Sequence, residues 1–300
     1  QPLSYYISLF CDACVPIFAF VSGYGLYYSY CKDSNAFLTK NIKRSKKLYI
    51  RYWVVLLVFA VLLGWILNKD GYPGDWQKFL LSFTGISPKY NGAWWYFTIY
   101  IAFIFTAAFW FKLLDVINPY LYLSLLVLVY VIAFYFRVYH TPIFENSIIV
   151  WLHTQSALYF CTLLQFMLGA FALKYDWYRE VFVFFRRLRF RNLLAILGIV
   201  LLIILHSLVP NFIVAPFTAL AFIFLFLQID LSKIFNIGLD FFTPHSTNLW
   251  LIHMFFYMIY FEAIIYAPQY PILIFTWLVL CCVFASFIIN LIIKKIENFI

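Results

Sequence analysis

Three basic side chains mark one end of an apolar segment near the start of the chain. Arg44 and Lys47 come directly before this segment, and Arg51 lies just inside it. Arginine binds a phosphate group through two parallel hydrogen bonds, whereas the ammonium group of lysine acts as a point charge. The cluster therefore predicts a site for a phosphate-bearing ligand. The alternative is that these cations only anchor the end of the segment at a membrane surface.

A histidine in the apolar segment near the other end of the chain is the second feature that suggests chemistry. His253 follows a polar run and lies seven residues after Ser246. Because ionisable residues are costly inside a bilayer, they are functional candidates. We expect His253 to take part in the site, with packing as the alternative. The residues expected to line the same cavity are Ser22, Gly23, His245, Ser246 and Asn248.

Three further ionisable residues lie inside or at the ends of apolar segments. Asp12, His206 and Glu262 are predicted to fall nearer the opposite side of the membrane, as an outer layer. Asp12 and His206 have simpler interpretations as interfacial residues. Ser22 and Gly23 also have a simpler interpretation as packing residues, since small residues let helices approach closely.

The composition of the chain indicates the class of fold that holds these side chains. Of 300 residues, 66% are hydrophobic and 11% are charged, and the mean hydropathy is +0.91. Soluble domains have about a quarter of their residues charged, and disordered chains are poorer in apolar residues. Transmembrane barrels have short alternating segments, whereas the apolar runs here are long. The chain is therefore predicted to be an all-α, polytopic transmembrane helical bundle that forms a single domain over residues 1–300.

Nine apolar runs are long enough to be considered as membrane spans. They cover residues 5–31, 48–68, 93–111, 121–136, 156–173, 193–208, 212–229, 246–266 and 272–292.

The basic residues predict the orientation of these spans. Of the 21 Lys and Arg residues, 17 fall on one side of the nine-span arrangement and four on the other. Basic loops stay in the cytoplasm, so the C-terminus is predicted to be cytoplasmic and Gln1 to lie outside. The net charge of +9 is thereby assigned to topology and not to nucleic-acid binding. We expect no signal peptide, and with Gln1 outside one further helix is expected before it.

Four stretches of the chain resemble the membrane-bound acyltransferase 3 family of integral-membrane O-acyltransferases. They are residues 15–24 (VPIFAFVSGY), 43–49 (KRSKKLY), 91–97 (NGAWWYF) and 245–253 (HSTNLWLIH). The family has ten spans, and both of its termini are cytoplasmic. The nine spans predicted here and the expected further helix give the same number. The family's basic stretch usually has two arginines followed by proline, whereas this chain has Arg44, Lys47 and, later, Arg51.

The resemblance implies transfer of an acyl group, acetyl first of all, from acyl-CoA to a hydroxyl of a sugar, polysaccharide or glycolipid. It implies that Arg44, Lys47 and Arg51 bind the donor. The family's catalytic histidine lies in its first helix, so the catalytic residue is expected before Gln1, with His253 as the candidate within the chain. Asn91, Trp94, Trp95 and Tyr96 are expected on the acceptor side, where aromatic faces suit sugar rings.

The expected partners are acyl-CoA, a glycan or glycolipid acceptor and the lipid bilayer, most simply the bacterial cytoplasmic membrane. We expect no bound cofactor, no metal and no nucleic acid; acetyl-CoA would be a substrate. Two alternatives stay open at this point. One is a transporter or flippase of a lipid-linked glycan or small anion, and the other is a catalytically inactive relative of the family.

Overall fold

The computed structural model describes residues 3–139, 144–209 and 211–298, and the chain is helical over most of these ranges without any strand in them. The predicted all-α, polytopic helical bundle is confirmed. The α-helices are α1 (Leu3–Leu9), α2 (Cys14–Lys32), α3 (Phe37–Val55), α4 (Leu63–Ile66), α5 (Trp76–Phe83), α6 (Trp95–Val116), α7 (Pro119–Tyr139), α8 (Ser147–Lys174), α9 (Trp177–Arg186), α10 (Arg191–Leu208), α11 (Ala215–Phe226), α12 (Lys233–Phe242), α13 (Ser246–Met254), α14 (Glu262–Tyr266) and α15 (Pro271–Glu297).

Seven helical segments in the described ranges are long and apolar enough to cross a membrane. They are Ser4–Lys32, Phe37–Ile66, Gly92–Val116, Pro119–Val138, Ser147–Lys174, Arg191–Leu208 and Pro271–Glu297. The other two predicted spans are also helical but differ in form. Phe212–Phe226 is shorter, and the segment of α13 and α14 is interrupted at Phe261. The count of nine crossings stays a prediction.

One of the long segments and the α13–α14 segment each contain a wide π-helical turn. Leu56–Leu62 joins α3 to α4, and Phe255–Tyr260 follows α13. The phenol of Tyr260 donates to the Phe59 carbonyl oxygen at 2.6 Å, so the two π segments contact each other. π-Turns change which residues share a face of the helix and leave backbone carbonyls without their usual partner.

The structure divides into two compact units. The first comprises Gln1–Thr39 and Ile99–Asp230, and the second comprises Lys40–Thr98 and Leu231–Ile300. This division does not test the expectation of one domain over residues 1–300, which remains a prediction.

The core of the first unit depends on close approach of α2 and α8. A Cβ atom added to Gly23 would overlap the Phe166 carbonyl oxygen, and one added to Gly169 would overlap the Phe20 carbonyl oxygen. Both glycines thus lie where the backbone of one helix touches the other, as in small-residue contacts between membrane helices.

We predict that Gly23→Ala destabilises the first unit. The added methyl group has no free volume, so α2 and α8 must separate, and overpacking of this kind costs about 1–3 kcal/mol. The thermal unfolding temperature of the purified protein in detergent measures the effect.

The matched control is Gly25→Ala in the same helix, because a Cβ atom there meets no heavy atom within 4 Å. Gly25→Ala is expected to leave the unfolding temperature unchanged or to raise it slightly through higher helix propensity. Equal unfolding temperatures for the two variants would contradict the assigned contact.

Candidate functional site

A half-buried arginine in the second unit is held by two neutral amides. Nη1 of Arg51 in α3 donates to Asn248 Oδ1 at 2.7 Å and to Asn290 Oδ1 at 2.8 Å. Asn248 lies in the first turns of α13, and Asn290 lies near the end of α15. Three helices that are distant in sequence therefore meet at one guanidinium group.

The amides belong to a buried polar network between α13 and α15. Nδ2 of Asn248 donates to Ser286 Oγ at 2.7 Å and to Asn290 Oδ1 at 3.0 Å. Ser286 Oγ also shares a hydrogen bond of 2.8 Å with His245 Nδ1. Asn248, Ser286 and His245 are almost completely buried. The network thus satisfies polar groups that would otherwise be costly in an apolar bundle.

Arg51 has further donors that no described residue engages. Within the described residues, Nε and Nη2 have no hydrogen-bond partner, and no carboxylate forms an ion pair with the guanidinium. Glu297, at the end of α15, acts on its charge from a longer distance. Because both close partners are neutral amides, they orient the guanidinium without cancelling its positive charge. Such a group is suited to binding an anion.

The other two predicted donor-binding residues lie on the same helix. Arg44 and Arg51 are seven residues apart in α3, which places them on one face about 10 Å apart along the axis. Arg44 Nη1 donates to Asn41 Oδ1 at 2.9 Å, so an amide orients this guanidinium too. Lys47 is exposed on the helix surface. These positions leave all three available to a ligand but do not identify it.

His253 lies deeper in α13 and does not join the Arg51 network. Its Nδ1 atom is within hydrogen-bond distance of the Trp250 carbonyl oxygen at 2.7 Å. Because a carbonyl only accepts, Nδ1 must carry the proton and Nε2 presents a lone pair. Asn248 and His253 are five residues apart, so they point in directions roughly 140° apart around the helix. The structure therefore does not bring His253 to the guanidinium of Arg51.

Asn91 and Trp94 hold the backbone of α13. Asn91 Nδ2 and Trp94 Nε1 both donate to the Leu251 carbonyl oxygen, at 3.1 and 2.9 Å. The Phe255 amide, which would bond to this carbonyl in a regular α-helix, bonds to the carbonyl oxygens of His253 and Ile252 instead. Both side chains are buried, so their polar atoms are used within the protein.

The last two predicted acceptor-side residues lie at the start of α6. Tyr96 is buried and Trp95 is partly exposed, and the Tyr96 ring lies 6.0 Å from the ring of Trp250. The preceding loop is also ordered. Lys78 lies over the rings of Tyr72 and Tyr90, and burial there lowers the pKa of its ammonium group below the ordinary value.

The remaining predicted residues are distributed between the two units. Ser246 is exposed and donates to Thr243 O at 3.0 Å, so it is outside the buried network. Ser22 and Gly23 belong to the first unit. His206 of that unit is completely buried and shares a hydrogen bond of 3.1 Å with Thr218. Asp12 and Glu262 are exposed, and the outer layer they were expected to form stays a prediction.

Sequence reasoning missed Ser286 and Asn290. They lie four residues apart, and so on one face of an otherwise apolar helix. That spacing of polar residues was the available signal.

These features define the class of protein, a polytopic membrane protein with an arginine site inside its helical bundle. A sequence profile for an acyltransferase domain, that of the acyltransferase 3 family, matches residues 1–294. The chain belongs to this family and is a membrane acyltransferase. No curated protein and no solved structure matches it.

We predict that Asn248→Ala destabilises the second unit. The change removes the oxygen that accepts from Arg51 and the amide group that donates to Ser286 and Asn290. Buried polar groups left without partners cost about 1–3 kcal/mol. The free energy of unfolding in detergent measures this loss.

The control is Thr247→Ala, because among the described residues no hydrogen bond involves that side chain. Thr247→Ala is expected to change the free energy of unfolding by less than about 0.5 kcal/mol. If Asn248→Ala is as stable as this control, the network does not stabilise the unit.

Proposed function

We propose that the protein transfers an acyl group, acetyl in the first instance, from acyl-CoA to a hydroxyl group of a glycan or glycolipid. The acceptor oxygen attacks the thioester carbonyl, its proton passes to a base, and the CoA thiolate leaves and is protonated. The C-terminus and the Arg51 end of the bundle face the cytoplasm in this proposal. The distribution of basic residues supports that orientation, because it follows the positive-inside rule.

The observation that carries the proposal is the state of Arg51. Among the described residues its hydrogen-bond partners are two neutral amides, and Nε and Nη2 have none, so an anion could accept from these two nitrogens. CoA carries phosphate groups, which match this requirement. We infer that Arg51 binds a phosphate group of the donor, that Arg44 binds another, and that Lys47 adds attraction as a point charge.

We propose that His253 contacts the reacting groups through Nε2. Its fixed tautomer makes this atom an acceptor, which suits a hydrogen bond from the acceptor hydroxyl. The proposal does not assign the catalytic base to a residue of this chain. Tests of activity use the full-length protein.

We predict that Arg51→Gln raises KM for acetyl-CoA. Loss of hydrogen bonds from a charged group to a phosphate costs about 1.5–3 kcal/mol, which corresponds to a roughly 10- to 150-fold increase. Arg51→Lys, which keeps the charge but loses the planar fork, is expected to lie in between. Release of CoA with a soluble glycan acceptor measures the rates.

A control of opposite sign is Glu297→Gln, which removes the carboxylate that acts on Arg51. This variant is expected to lower KM, by about twofold for a screened charge. An unchanged KM in Arg51→Gln would remove Arg51 from the donor site.

We predict that His253→Gln lowers kcat about tenfold with little change in KM for acetyl-CoA, because one hydrogen bond in the transition state is lost. A variant that folds normally and turns over at the wild-type rate would show that His253 is a packing residue. Transport of a glycan without any acyl-CoA would instead favour the carrier alternative.

A further inference from the structure

The turn between α9 and α10 in the first unit concentrates arginine around an open cleft. Arg186, Arg189 and Arg191 line this cleft, which has a volume of about 480 Å³. Arg191 forms an ion pair with Asp230. Among the described residues Arg186 and Arg189 have no acidic partner, and both are exposed. The cleft thus carries uncompensated positive charge.

The length of α10 indicates where this charge lies relative to a bilayer. The helix has 18 residues from Arg191 to Leu208 and is a candidate span, so it extends about 27 Å. This is close to the thickness of the hydrocarbon core, which is roughly 30 Å. With α10 spanning the bilayer, Arg191 and the arginines just before it are expected at the level of the lipid headgroups.

The surroundings of the cleft suit a lipid better than a soluble anion. Phe190 and Leu193 line it together with the arginines, and these two side chains are 60% and 54% exposed. Phe184, on the adjacent helix α9, is 62% exposed. Exposed apolar side chains beside arginine are typical of helices that lie in the membrane interface. A ligand with a phosphate and hydrocarbon chains would contact both kinds of side chain.

We propose that the α9–α10 cleft binds the headgroup of one anionic phospholipid, such as phosphatidylglycerol. Arg186 and Arg189 bind the phosphate, while Phe190 and Leu193 contact the start of the acyl chains. Charge complementarity selects an anionic over a zwitterionic lipid, because the two arginines need a net negative partner. This site does not depend on the proposed donor site, which belongs to the other unit.

The test is titration of the purified full chain, in an uncharged detergent, with dihexanoyl phosphatidylglycerol. We expect one saturable site, with at least about tenfold weaker binding of dihexanoyl phosphatidylcholine. The double variant Arg186→Gln/Arg189→Gln is expected to bind phosphatidylglycerol at least about tenfold more weakly than wild type. Native mass spectrometry gives the stoichiometry.

The matched control is Lys32→Gln/Lys112→Gln, which removes the same charge from exposed positions on other helices of the first unit, outside the cleft. At 0.15 M salt it should bind within about twofold of wild type, because distant surface charges are screened. Equal loss of binding in the control would overturn the proposal. So would equal binding of phosphatidylcholine, or displacement of the lipid by an equal concentration of CoA.

Discussion

The second unit depends on how a half-buried positive charge is accommodated inside an apolar bundle. Arg51 takes its close partners from two amides, so its orientation is fixed while its charge remains. A carboxylate in either position would form an ion pair and cancel the attraction for an anion. Asn at 248 and 290, where Asp would form a salt bridge, therefore leaves Arg51 with the positive charge that the proposed donor site requires.

Much of the fold could be predicted from the sequence because long apolar runs have few alternatives to helices in a membrane. The site was predicted only in parts. Arg51 and Asn248 were each singled out, but nothing in one sequence indicates that they meet. Ser286 and Asn290 were missed because two small polar residues barely change the hydropathy of a 27-residue helix. Which helix faces pack together depends on tertiary structure and cannot be predicted from the composition of each helix.

The wide turn after α13 explains why the Asn91–Tyr96 stretch was difficult to interpret. Its aromatic residues suggested a surface for sugar rings, yet Trp94 and Asn91 use their polar atoms to bind the Leu251 carbonyl oxygen. The Phe255 amide, which would bond to that carbonyl in a regular α-helix, bonds elsewhere where the π-helical segment begins. In a uniformly apolar segment the spacing of residues gives no sign of such a turn, so its side-chain partners are also hidden.

The two units are stabilised by different interactions, and these require different kinds of residue. Gly23 and Gly169 touch the facing backbones, and these contacts require the absence of a side chain at both positions. The Arg51 network requires specific polar groups on three helices, and these orient a guanidinium whose Nε and Nη2 no described residue engages. Under the proposed function, an anion bound there would add hydrogen bonds that only the folded state provides. Donor binding would then stabilise the second unit in proportion to the occupancy of the site.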